Sequence, residues 1–159
     1  MIERSLVILK PDAVQRAIIG KIIARLEDAG LKIVGMKMAW IDEKFSKMQY
    51  KAHLKKSFYK GLEEFMTSGP VIAMAIEGVS AIEIVRKIVG STEPKVALPG
   101  TIRGDFAHHS ASYADKKGIA VKNLIHASGN KKEAKEEIKI WFKKSEMHSY
   151  NTVHDMHVL

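Results

Sequence analysis

A histidine and a serine arrive together where an apolar run gives way to a helix, in Val121-Lys122-Asn123-Leu124-Ile125-His126-Ala127-Ser128. Read as a strand, the run puts Val121, Asn123 and Ile125 on one face and Leu124 and His126 on the other. The imidazole then leaves the sheet as the chain turns, a place where chemistry is commonly mounted. Ser128-Gly129-Asn130 reads as the turn, and Asn130 followed by Glu133 has the spacing of a capping box. The helix that follows buries Ala134, Ile138, Trp141 and Phe142, and Glu137 falls on the same stripe. A carboxylate aimed inward needs a hydrogen-bonding partner, and His126 is the candidate. An imidazole held at one nitrogen by a carboxylate presents the other as an oriented nucleophile or base. The same residues alone also admit a plainer reading, a strand-end histidine bonded to a backbone carbonyl with Glu137 snorkelling to solvent.

The elements that must position this pair can be followed along the chain. Ser5-Leu6-Val7-Ile8-Leu9-Lys10 is continuously apolar until Lys10 and is stopped by Pro11, as expected of a strand buried on both faces. Lys10 emerges at its end. Ile18, Ile19, Ile22, Ile23, Leu26 and Ala29 recur at helical spacing, with Gly30 as the C-terminal cap. Residues 31–41 alternate as a half-exposed strand nearer an edge, with Val34, Met36, Met38 and Trp40 on one face and the methionines read as core filler. Asp42 caps a short helix carrying Phe45, Met48 and Ala52. A second short helix carries Phe58, Leu62, Phe65 and Met66, and Tyr50 lies beside this pair. Residues 71–76 form a second continuously apolar strand. Ser80 and Glu83 have capping-box spacing before a helix with Arg86 in its last turns. Residues 95–119 show no convincing period and read as a long functional loop, in which Pro99-Gly100 and Arg103-Gly104 flank Thr101 and Ile102 and hold the arginine in a tight turn.

Two doubly buried strands, the first and third, and two more polar ones fit a split βαβ arrangement with the buried pair in the middle. The expected fold is therefore α+β and ferredoxin-like, a βαββαβ four-stranded antiparallel sheet covered by helices, with residues 1–159 forming one domain. With 46% hydrophobic and 28% charged residues the chain belongs to the soluble globular class. No apolar run is long enough to span a bilayer, and Met1-Ile2-Glu3-Arg4 leads straight into a strand, so a membrane partner and a signal peptide are not expected. The absence of cysteine excludes disulfides, thiolate metal sites and a cysteine nucleophile and is compatible with a cytoplasmic protein. The net charge of +8 favours an anionic partner, but the lysines are scattered without an arginine-rich tail or aromatic interleaving, so nucleic acid is not required. The other histidines, His53, His108, His109, His148, His154 and His157, show no spacing that joins two of them to a carboxylate, and no protein-held metal is expected.

Neither a Walker loop nor a Gly-x-Gly-x-x-Gly cradle is present, so phosphate would be bound by side chains. Lys10, Arg86 and Arg103 sit at element ends or in the long loop, where they can converge on His126. At this point a family resemblance is plain. Residues 9–16 (Leu-Lys-Pro-Asp-Ala-Val-Gln-Arg), 68–71 (Ser-Gly-Pro-Val), 99–106 (Pro-Gly-Thr-Ile-Arg-Gly-Asp-Phe) and 123–128 (Asn-Leu-Ile-His-Ala-Ser) resemble, in order, four motifs of the nucleoside diphosphate kinases. The resemblance covers nearly the whole chain.

It implies that His126 is the phosphorylated nucleophile, Glu137 its orienting carboxylate and Tyr50 a supporting hydroxyl. Lys10, Arg86, Thr92 and Arg103 are implied as phosphate ligands, Asn123 as the sugar ligand and Phe58 as the stacking surface for the base. The implied reaction transfers the γ-phosphoryl of a nucleoside triphosphate, mainly ATP, to a nucleoside diphosphate through phosphohistidine. Mg²⁺ is carried by the nucleotide, and the assembly is a homo-oligomer, most simply a hexamer. With only an aromatic face left for the base, the enzyme is expected to be largely indifferent to base identity. Three departures stand out: Gly129 where many members carry an acid, Ser57 in place of a proline, and an extended segment, residues 107–122, like that of archaeal members. The competing class is a nucleotide or nucleic-acid binding module that has lost catalysis, whose signature would be loss of the histidine or of its cations.

Overall fold

The computed structural model describes residues 1–159. Its four strands are β1 (Ile2–Leu9), β2 (Lys32–Ala39), β3 (Val71–Val79) and β4 (Ile125–Ala127). They form one sheet in the order β2-β3-β1-β4, and every neighbouring pair is antiparallel. Nine helices connect and cover it: α1 (Pro11–Gln15), α2 (Ile19–Glu27), α3 (Glu43–Gln49), α4 (Tyr59–Met66), α5 (Ala81–Val89), α6 (Ile102–Phe106), α7 (Ala111–Lys117), α8 (Lys131–Trp141) and α9 (Asp155–Val158). The α+β, ferredoxin-like reading holds, with the two apolar strands in the centre.

The alternation along β1 divides the interior into two cores. Val7 and Leu9 join Ile22, Leu26, Val85 and Val89 from α2 and α5 on one face. Leu6 and Ile8 join Tyr50, Met66, Trp141 and Phe142 on the other. These β1 side chains are fully buried, and each large one contributes about 1.5–3 kcal/mol relative to exposure.

Several expectations need correction. The alternation of β2 is broken by a bulge between Ile33 and Gly35. Ile33, Met36 and Met38 pair with Ile76, Met74 and Ile72, whereas Lys37 and Ala39 pair with Ala73 and Val71. The methionines therefore lie on the opposite face from Val34. They are exposed rather than core filler, because the bulge turns them off the face that Val34 shares with the core. Ser80 does not cap α5, since its backbone is left-handed (φ 49°) and its side chain makes no cap bond. The expected long loop contains α6 and α7, capped by the hydroxyls of Thr101 and Ser110. The strand expected from residue 121 begins only at Ile125. Leu124 has φ 70°, and Ile125 N–H donates to Asn123 O at 2.8 Å, closing a three-residue γ-turn. Asp12 fixes this turn by accepting from Leu124 N–H at 3.1 Å.

Candidate active site

His126 lies opposite Ile8 in the β1–β4 pairing, on the face covered by α8. One turn and a half of α8 places Glu137 behind it. The helix start is fixed by Asn130, whose side chain accepts from Glu133 N–H at 3.0 Å, while Glu133 reaches back to Gly129 N–H at 2.9 Å. This is the expected cap, with its return bond shifted by one residue to Gly129. His126 Nε2 and Glu137 Oε1 are 2.9 Å apart. The open question at the strand end is thereby resolved for the carboxylate partner.

Glu137 is itself held by two further donors. Ser128 Oγ donates to Oε2 at 2.6 Å and Gln49 Nε2 donates to Oε1 at 2.9 Å. The Gln49 amide is oriented in turn by Trp141 Nε1–H, which donates to its Oε1 at 2.7 Å. Burial pushes the Glu137 carboxyl up, but the hydrogen bonds from His126, Ser128 and Gln49 outweigh it and hold the carboxyl below its ordinary value. An ionised Glu137 accepts from Nε2–H, which leaves Nδ1 of the neutral imidazole with its lone pair.

In front of His126 lies a cleft of about 520 Å³. The structure brings Lys10, Tyr50, Phe58, Arg86, Thr92, Arg103, Asn123 and His126 together in its lining, so eight of the nine residues named from sequence face one space. Glu137 is the ninth and stands behind the imidazole. A wider, shallower depression of about 830 Å³ beside α3, edged by Lys44, Lys47 and Lys51, contains none of them.

Lys10 leaves β1 at Pro11, and its Nζ donates to Asn123 Oδ1 at 2.7 Å. Asn123 Nδ2 donates to Thr92 O at 2.8 Å, joining the γ-turn to the loop after α5. Arg103, on α6, is buried and donates to the carbonyls of Asn123, Gly90 and Ile125 at 3.1, 3.1 and 2.6 Å. Burial, with the nearby Arg103 charge, lowers Lys10 to about 8. Burial, with the Arg86 charge, lowers Arg103 to about 10. These two buried cations therefore rest on neutral oxygens. Tyr50 packs edge-on to His126 at 6.1 Å between centroids, and its buried hydroxyl has no partner in the chain. Burial, followed by the Glu137 charge, raises its pKa.

Three contributors escaped the reading of the sequence. Gln49 and Asp12 act through partners distant along the chain, and nothing in local spacing marks them. His53 lines the cleft with an unpartnered buried Nδ1, its ring 5.6 Å from Phe58. Its signal was proximity to Tyr50 and Phe58 in the same short stretch.

A carboxylate-oriented histidine facing two buried cations and a third at the rim is suited to handling phosphoryl groups. Comparison with known proteins agrees. The family model described as nucleoside diphosphate kinase matches residues 3–147. The nucleoside diphosphate kinase of Pyrococcus abyssi is 49% identical over 153 residues, covering 96% of this chain and 92% of that protein. A transition-state mimic of the Borrelia burgdorferi enzyme with bound vanadate and ADP superposes with TM-score 0.96 at 41% identity, covering 99% of this chain and 96% of the other. A Halobacterium salinarum enzyme in complex with CDP gives TM-score 0.86 at 40% identity, covering 98% and 97%. The chain belongs to the nucleoside diphosphate kinase family and is a phosphotransferase.

Proposed function

We propose that the 159 residues act as one domain that moves the γ-phosphoryl group of a nucleoside triphosphate to a nucleoside diphosphate by two transfers through His126. The observation that carries this reading is the 2.9 Å His126–Glu137 pair, which engages Nε2 and leaves Nδ1 as the lone-pair nitrogen beside Lys10, Arg86 and Arg103. In the first transfer Nδ1 attacks the γ-phosphorus in line. A P–N bond forms as the bond to the β–γ bridging oxygen breaks, and the diphosphate leaves with those electrons. In the second, a terminal oxygen of the acceptor's β-phosphate attacks the same phosphorus and the P–N bond breaks. The cations meet the charge that spreads over the equatorial oxygens. Glu137 stabilises the positive charge that develops on the imidazole, and Tyr50 supplies a hydroxyl beside it.

Thr92, Arg86 and Arg103 are assigned to the phosphates. Lys10 and Asn123, hydrogen-bonded to each other, are placed where phosphate and sugar meet, and Phe58 takes the base. Mg²⁺ enters as part of the nucleotide substrate. No group of three or more His, Cys, Asp or Glu residues is arranged to hold a metal, and Asp12, beside the cations, already accepts from Ala13 and Leu124 N–H. The reading includes a homo-oligomer, a hexamer as the family resemblance implies, and Met36, Met38 and Trp40 on edge strand β2 with Leu98 in the loop before α6 are large exposed apolar groups that an assembly would cover. No helix is long and apolar enough to cross a membrane, and the setting that fits is the cytoplasm.

The test is incubation with γ-labelled ATP. Label should appear on the protein, survive base, be lost in acid and leave on addition of a diphosphate. His126→Ala should fold and take no label. A variant that still labels would give the nucleophile to another residue.

A further inference from the structure

The extended segment, residues 107–122, has no part in the mechanism above, yet it builds one wall of the cleft. Ala111 and Ala114 from α7 line it, as do Ile119, Ala120 and Val121 just beyond. The segment is anchored on both sides. Ser110 Oγ caps Tyr113 N–H at 3.2 Å, Glu93 Oε1 accepts from Ala111 N–H at 2.9 Å, and His109 Nδ1 accepts from Lys122 N–H at 3.0 Å. Gly118, with φ 63°, ends α7 in the left-handed conformation that a non-glycine residue enters at a cost. The chain then passes against α4, where a Cβ on Gly61 would meet Ala120 N at 3.2 Å. Gly61 stands three residues after Phe58, so this wall closes on the base end of the cleft.

One polar side chain on that wall is uncommitted. Asp115 follows Ala111 by four residues, shares its helix face and lines the cleft. Its carboxylate has no hydrogen-bond or ion-pair partner in the chain, whereas Glu133, the other acid in the lining, is occupied by Gly129 N–H and Asn130 Nδ2. A free carboxylate would repel phosphate, and the phosphate end is already supplied with cations. It suits the donor edge of a base.

We infer that Asp115 is a specificity-determining residue that accepts hydrogen bonds from the base held between Phe58 and α7 and favours guanine. This rests on the nucleotide orientation proposed above. Guanine places its N1–H and 2-amino group side by side, matching both carboxylate oxygens. Adenine and cytosine offer one amino group, and uracil offers one N–H flanked by carbonyls that the carboxylate repels. Because Asp115 is solvent-exposed, the preference should be modest, roughly tenfold, the low end for a bidentate pair.

The experiment compares kcat/KM for GDP and IDP, which differ only in the 2-amino group, with ATP as common donor. The wild-type protein should favour GDP roughly tenfold, and Asp115→Asn and Asp115→Ala should each bring the ratio to within about twofold, through a fall for GDP. A wild-type ratio near one, or a ratio that both variants leave unaltered, overturns the inference. Failure of the kinase reading looks different: the wild-type protein would take no label from γ-labelled ATP and would transfer to neither diphosphate.

Discussion

Glu137→Gln tests how much of the phosphoryl transfer depends on a charge behind the histidine. The substitution is nearly isosteric, and the surrounding network can adapt. The amide oxygen can keep the position of Oε1 and accept from His126 and Gln49. The new NH₂ can donate to Ser128 Oγ, whose own proton then turns to Leu6 O, already 3.4 Å away. What is lost is the negative charge, and with it the difference between a charge-assisted and a neutral hydrogen bond, about 1–1.5 kcal/mol. At about 1.4 kcal/mol per decade this predicts a roughly 5- to 12-fold slower first transfer. Rapid-quench measurement of phosphohistidine formation at saturating ATP isolates that step. Stability offers a control: the Glu137 carboxyl is held below its ordinary 4.5, so its contribution is fully present above that pH and is lost as pH falls through the lower folded value. The glutamine variant should lack this part of the acid sensitivity. An unchanged labelling rate would remove Glu137 from the mechanism. A loss beyond about ten-thousandfold in a folded variant would mean that it does more than orient and stabilise the imidazole.

Lys10 gives a pH prediction in two directions. Its folded pKa of about 8 lies below the ordinary 10.5, so between those values the unfolded chain holds a proton that the folded one has lost, and stability of the free protein should rise across that window. Affinity for ADP should instead weaken as pH rises through about 8, because the phosphates then meet a neutral amine. Calorimetric titration should show this in the wild type, while Lys10→Met binds more weakly at pH 7 and loses the inflection. Met38→Glu places a charge on the exposed apolar edge of β2 and should shift sedimentation toward smaller species. A sedimentation coefficient equal to the wild type's would place the assembly surface elsewhere.

The sequence was legible where one segment contains its own explanation. The apolar runs of β1 and β3 could only be central, and Asn130 with Glu133 marked the start of α8 because a cap is a local device. Glu137 was visible because a carboxylate on a buried stripe contradicts the pattern around it. The bulge in β2 was not visible: bulged and regular strands carry the same alternating residues, and the choice is made by pairing with β3. Leu124 was hidden for a similar reason. A leucine disfavours positive φ by roughly 1–2 kcal/mol, and partners far along the chain hold it there: Asp12 accepts from Leu124 N–H, Lys10 N–H donates to Leu124 O, and Arg103 takes the carbonyls on either side. Gln49 and Asp115 acquire meaning only from what the fold brings against them, a carboxylate in one case and an open cleft in the other.

These hidden features share a consequence for how the site works. Leu124 adopts a costly backbone so that the carbonyls of Asn123 and Ile125 both reach the Arg103 guanidinium and the Asn123 side chain meets Lys10. The two cations are buried against neutral oxygens. For Lys10 alone, the fall from 10.5 to about 8 corresponds to about 3 kcal/mol against its charged form. A carboxylate ion pair would lessen that cost, but it would also occupy the cations and compete with substrate. The free protein therefore holds its cations without a direct ion pair: the nearby Asp12 carboxylate offsets part of their burial but is engaged by Ala13 and Leu124 N–H. On the proposed assignment, arriving phosphates supply further negative charge, and the cost of burial is relieved at that point. With the nucleotide oriented as proposed, a nucleoside without phosphates would cover Phe58 and leave Lys10 and Arg103 as they were, and discrimination between nucleoside and nucleotide would be built into the free site before any contact with the base is made.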